Sequence, residues 1–158
     1  MSLAATTATE TVQLSRMYAA SCQQVFDAWT DAKALQQWFG PHSHKCKVEK
    51  YDVRVGGEFQ IRMIPVADDP DCAGEPGKDS VCAGKFVTVE SPCKLAMTFN
   101  WIENGADMGE TLLTIELFER EQGTELVLTH ERLPDAAIRD AHASGWQGTL
   151  EKLQAFLQ

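Results

Sequence analysis

The feature that most constrains this chain is a change of hydrophobic period. From residue 46 to residue 132 apolar side chains recur at every second position, whereas on either side they recur at spacings of three and four. Phe59, Ile61 and Met63 alternate with Glu58, Gln60 and Arg62; Leu95, Met97, Phe99 and Trp101 alternate without a break; Thr111, Leu113, Ile115 and Leu117 oppose Glu110, Leu112, Thr114 and Glu116; and Leu126, Leu128 and His130 share one face. Such runs predict half-buried strands separated by turns at Gly56-Gly57, Ser91-Pro92, Asn104-Gly105 and Gln122-Gly123. Val53 and Val55 read as the end of the strand before the first of these turns, and residues 81–90 as another strand.

The flanks complete the pattern. Residues 11–18 place Val12, Leu14 and Tyr18 on one parity, interrupted by Arg16, and predict a further strand. Ser21-Cys22-Gln23-Gln24 has the form of a capping box, and Val25 and Trp29 follow at helical spacing. Thr30 or Asp31 caps a second short helix in which Leu35, Trp38 and Phe39 share a face, and Gly40-Pro41 ends it. At the other end Ile138, His142, Trp146, Leu150, Leu153 and Leu157 predict one helix of about 23 residues, with Pro134 at its first position and Asp135 near its positive end. Seven strands with two short helices after the first and one long helix at the end cannot form a strand–helix–strand array, so the fold class is α+β. An antiparallel sheet that is apolar on one face needs cover, and the final helix is the element long enough to give it.

With 158 residues, 23 acidic against 14 basic side chains and a net charge of −9, the chain reads as one domain over residues 10–158 behind a disordered segment at 1–9. The negative balance disfavours nucleic acid and anionic membranes as partners. Residues 1–10 have neither the basic start nor the apolar run of a secretory signal, which makes the cytoplasm the expected location. Five cysteines (Cys22, Cys46, Cys72, Cys82 and Cys93), with no pair two residues apart, read as free thiols. Asp68, Asp69, Asp71, Glu75 and Asp79 gather in a long loop at 65–80.

Five strings occur in order: Val25-Phe26-Asp27-Ala28-Trp29-Thr30-Asp31; Trp38-Phe39-Gly40-Pro41; Asp52-Val53-Arg54-Val55-Gly56-Gly57; Gly123-Thr124-Glu125-Leu126 through Thr129-His130; and His142 with Gly145-Trp146. In this order and spacing residues 11–157 resemble the SRPBCC (START-like, birch-pollen-allergen-like) superfamily, specifically the stand-alone bacterial relatives of the heat-shock-protein ATPase activator. The resemblance implies a helix-grip fold, in which a curved antiparallel sheet wraps the final helix and leaves a cavity between them. It also implies a hydrophobic ligand, or cyclase-like chemistry, in that cavity. The loop at 65–80 departs from the pattern by its length, and the amino-terminal domain of the namesake has no counterpart here.

The residues suit such a cavity. Phe59, Ile61, Met63, Met97, Phe99, Trp101, Leu128 and His130 on the sheet, facing His142 and Trp146 on the helix, are the expected ligand-binding set. His130 and His142 are the polar candidates, able to orient a ligand or to exchange protons with it. Gly145 and Gly148 fall inside the helix, where each costs about 1 kcal/mol relative to alanine; close packing or an approaching ligand would account for them. His42, His44 and Cys46 alternate in an extended segment and are ligand types for Zn²⁺ or Cu, but no fourth ligand follows, so no metal is assigned. Asp52 and Arg54 read as a structural ion pair with neighbouring strands, and Cys82 as a nucleophile lacks an identifiable base. The leading expectation is a protein, monomeric or weakly dimeric, that binds a small apolar or aromatic molecule without a cofactor. The alternatives are acid–base catalysis in the same cavity and a co-chaperone-like interaction role.

Overall fold

The computed structural model describes residues 9–66, 79–103 and 106–158. Strand β1 (Glu10–Tyr18) leads into helices α1 (Cys22–Thr30) and α2 (Ala32–Trp38). Strands β2 (His44–Tyr51), β3 (Glu58–Pro65), β4 (Ser80–Glu90), β5 (Lys94–Glu103), β6 (Ala106–Arg120) and β7 (Gly123–Leu133) follow, then helix α3 (Ala136–Leu157). All pairings are antiparallel, and the order across the single seven-stranded sheet is β1-β7-β6-β5-β4-β3-β2. Register shifts at Val48/Lys50, Phe86/Thr88 and Asn100/Ile102 insert extra residues, and each such bulge bends its strand and curves the sheet around α3. This is the α+β class that the alternation implied, in the helix-grip arrangement that the family resemblance implied. Among the described residues no helix is long and apolar enough to cross a membrane.

Local chemistry sets the helix ends. The Ser21 hydroxyl accepts from the Gln24 amide at 3.1 Å and the Gln24 side chain accepts from the Ser21 amide at 2.9 Å, closing the capping box. Asp31, not Thr30, caps α2, and Gly40 follows the helix at φ 99°, a conformation that L side chains rarely adopt. Two boundaries differ from the sequence reading. Pro134 lies outside α3; Asp135 is the cap, its carboxylate accepting from the Ile138 amide at 2.8 Å, so the helix starts two residues later. Val53 and Val55 are outside any strand, because the Arg54 amide donates a hydrogen bond to the Asp52 carbonyl and the Gly57 amide to the Arg54 carbonyl, folding 52–57 into a compact loop. Within it Arg54 binds Asp52 itself at 2.8 Å, with no neighbouring strand involved. The loop expected at 65–80 is bounded by Pro65 and Ser80, and its residues 67–78, like Cys72 and the turn Asn104-Gly105, lie outside the described residues.

The core fills the concave side. Val25, Trp29, Leu35 and Trp38 from α1 and α2 pack with Phe59, Phe86, Leu113, Ile115, Leu126 and Leu128 from the sheet and with Leu150 and Leu153 from α3. Helix α3 rests mainly on β1. There the Tyr18 hydroxyl donates to the Leu150 carbonyl at 2.9 Å, and Arg16 donates twice to the Gln154 side chain at 2.9 and 3.2 Å. The carboxyl half of α3 is thereby pinned, and Arg139 in its first turn pairs with Glu10 at the start of β1.

Candidate functional site

A cavity of about 490 Å³ lies under the amino half of α3. Its floor comes from the sheet: Met63, Phe99, Trp101 and Thr111. Its roof is the α3 face carrying Ile138, His142, Gly145, Trp146 and Thr149, and its mouth is edged by Phe39, Pro41, His44 and Ser80. The position follows from the packing, since a straight helix tied to the edge strand β1, by Arg139 to Glu10 at one end and by Arg16 to Gln154 at the other, cannot also press against the middle of a curved sheet.

Two tryptophan–histidine pairs bridge sheet and helix. Trp101 on β5 donates its indole N–H to Nε2 of His142 on α3 at 2.9 Å. Nδ1 of His142 lies 2.8 Å from the Ile138 carbonyl, which only accepts, so the ring is the neutral tautomer with its hydrogen on Nδ1. The second pair runs the other way: Trp146 on α3 donates to Nδ1 of His130 on β7 at 3.0 Å. His130 Nε2 then lies 2.7 Å from the Thr111 hydroxyl, which gives its own hydrogen to the Phe99 carbonyl at 2.5 Å, so Nε2 is the donor. All four imidazole nitrogens are engaged. The two histidine rings meet edge to face with centroids 4.9 Å apart. His130 is completely buried, and burial, with a smaller contribution from His142, pushes its imidazole down to about 3, so it stays neutral in the physiological range.

Aromatic edges continue the wall. Phe99 packs against Trp101 at 5.6 Å, His130 at 5.2 Å and Trp146 at 5.9 Å, and Phe39 packs against Trp146 at 5.8 Å. Of the ten residues expected from sequence, Met63, Phe99, Trp101, His142 and Trp146 line the cavity. Phe59, Ile61, Met97, Leu128 and His130 do not: they share the inward parity but lie deeper along the strands. There Phe59 meets Phe86 at 5.6 Å and the remaining space is filled by core side chains. His130 stands behind Thr111 and Trp146 and positions them. Phe39 and Thr149 were missed. Thr111 had a legible signal, standing on the inward parity of its strand with Leu113 and Ile115.

The remaining sequence candidates do not assemble. His42 pairs with Glu151 at 3.5 Å, His44 Nδ1 meets the Ser43 hydroxyl at 2.8 Å, and the buried Cys46 thiol points to the Leu35 and Gln36 carbonyls. Burial pushes Cys46 up to about 11. Cys82 is fully buried and its thiol is raised further still, chiefly by desolvation, which leaves no nucleophile there. Among the described residues no three His, Cys, Asp or Glu side chains converge as metal ligands.

Solved structures share this architecture. A crystal structure of a Chromobacterium violaceum protein is similar over 93% of this chain and 96% of its own, with 27% identity and a TM-score of 0.81. The AHSA1 protein of Silicibacter pomeroyi covers 94% and 97% at 22% identity with a TM-score of 0.81. An Arthrobacter aurescens solution structure covers 93% and 85% at 22% identity with a TM-score of 0.79. At their lower identity the last two bear on the fold alone. Among curated protein sequences, none matches this one. The family described as activator of Hsp90 ATPase homolog 1-like protein matches residues 19–158, which is everything after β1, and the chain belongs to that family.

Proposed function

We propose that the cavity binds a small apolar or aromatic molecule. The observation that carries this reading is the wall itself: about 490 Å³ bounded by Phe39, Met63, Phe99, Trp101 and Trp146, with both indole N–H groups already given to His142 and His130. The family fold accommodates such cavities in general, which agrees with this reading. Acid–base chemistry on a ligand by His130 or His142 would require a free imidazole nitrogen, and both rings hold theirs in internal hydrogen bonds. Binding is therefore favoured over catalysis.

The test is titration with N-phenyl-1-naphthylamine, an uncharged dye that brightens in apolar surroundings, with amide chemical shifts followed in parallel. One saturable site is expected, with shifts concentrated at Trp101, Thr111 and residues 138–149. An absence of saturable binding, or shifts clustering elsewhere, overturns the proposal.

A further inference from the structure

Gly145 has no structural reason to be glycine. It lies within α3, where glycine costs about 1 kcal/mol relative to alanine, and its backbone is not in the left-handed region. A Cβ added there would meet no atom within 4 Å. Gly148, one turn on, differs: its Cβ would lie 3.2 Å from Cδ2 of His42 and 3.6 Å from Cα of Pro41, so close packing accounts for it. The open space at Gly145 is part of the cavity, between His142 and Thr149 on the same helix face.

Among the described residues the wall is also uncharged: no Lys, Arg, Asp or Glu of theirs lines the cavity. Trp101 and Trp146 give their N–H groups to His142 and His130, and the Thr111 and Thr149 hydroxyls give theirs to the Phe99 and Gly145 carbonyls. Lys152 is not on the wall; its ammonium donates to the Pro41 and His44 carbonyls at 3.5 and 3.3 Å. An ionised ligand group entering the cavity would lose its hydration and find no counter-charge, a large penalty.

We infer that the cavity selects an uncharged, ring-bearing molecule, and that Gly145 is the specificity-determining residue, its missing side chain leaving the slot in α3 that the ring occupies. The inference rests on the proposed binding role. Its test compares 2-naphthol with 2-naphthoate, a neutral and an anionic molecule of similar shape, by calorimetric titration at neutral pH. Wild type is expected to bind 2-naphthol about a hundredfold more tightly than 2-naphthoate. Gly145→Leu fills the slot and is expected to weaken 2-naphthol about tenfold or more, with Gly145→Ala intermediate. Gln147→Leu, on the exposed side of the same helix, is expected to stay within about twofold of wild type. Replacing a helix glycine removes its backbone cost, so the Gly145 variants are expected to melt no lower than wild type, which separates lost binding from lost folding. Equal affinity for the two probes, or undiminished binding of 2-naphthol by Gly145→Leu, overturns the inference while the binding role stands. Failure of both probes to bind wild type overturns the binding role itself.

Discussion

Replacing His130 by glutamine is predicted to flatten the acid side of the protein's stability curve. Glutamine offers a carbonyl to the Trp146 indole and an amide to Thr111, so both neighbours keep a partner, but it does not titrate. In the wild type the folded imidazole is pushed down to about 3, by burial first and His142 second, against 6.5 for an unperturbed histidine. Below pH 6.5 the unfolded chain therefore takes up a proton that the folded chain refuses. The stability associated with neutral His130 is present above that pH and is lost as the pH falls from 6.5 towards 3. Full separation of the two states is worth about 1.4 kcal/mol per pH unit, so moving from pH 6 to pH 4 removes about 3 kcal/mol through this residue alone. For a chain of this size that is a fall of roughly 6–12 °C in melting temperature.

Carboxylates titrate in part of the same window. Glu49, held below the usual carboxylate range by hydrogen bonds from Gln60 and then Arg62, and Glu58, held down by Lys50, also lose stabilisation as they protonate. Both are the same in the variant, so the informative quantity is the difference between the two melting curves, measured by circular dichroism at half-unit steps from pH 7 to pH 4. His130→Gln is expected to be less stable than wild type at pH 7 and to lose that disadvantage on acidification. Parallel curves across the window would refute the reasoning, since they would mean that His130 accepts a proton in the folded state and that the Trp146–His130–Thr111 chain is not closed.

Three further substitutions test the packing account. Gly84→Ala should destabilise by about 3 kcal/mol, because a Cβ there would overlap the Thr98 carbonyl and lie 2.8 Å from the Thr98 hydroxyl; a urea midpoint shifted by less than a third of that would show that β4 and β5 can separate to admit it. Trp38→Phe should cost about 1–2 kcal/mol more than Trp29→Phe. The Trp38 indole donates to the buried Ala28 carbonyl at 3.2 Å, whereas the buried Trp29 N–H has no partner among the described residues; equal costs would contradict this ordering.

The face of each strand was legible from alternation, but the position of the cavity along it was not. Phe59, Ile61 and Met63 have the same parity and equal burial, yet only Met63 reaches the cavity. Period-two patterning specifies inside or outside. Which part of the inside is left empty depends on where α3 lies, and that is set by contacts such as Tyr18 with Leu150 and Arg16 with Gln154, more than 130 residues apart in sequence. Strand β2 was half legible for a related reason: His44-Lys45-Cys46-Lys47 has little apolar alternation, because α2 covers this edge partly through polar contacts such as the Val48 amide to the Gln36 side chain at 3.0 Å.

The histidines show a different limit of sequence reasoning, and it bears on function. Residue type identifies His130 and His142 as the groups best able to hold a polar ligand end or move a proton. Their partners, Thr111 and Trp146 for one, Trp101 and Ile138 for the other, come from strands and a helix that only folding brings together. Once those bonds form, His142 and the two tryptophans present to the cavity mostly ring faces and edges, with their ring nitrogens turned to one another, to the Ile138 carbonyl and to His130 behind the wall. A wall that contains these three polar rings thus behaves as an apolar one. The same bonds tie β5, β6 and β7 to α3 across the gap, so the cavity can stay open without the helix collapsing onto the sheet. Under this arrangement Gly145 gains its significance: with the rings fixed by their partners, the bare stretch of helix between His142 and Thr149 is the part of the wall free to match the shape of a guest.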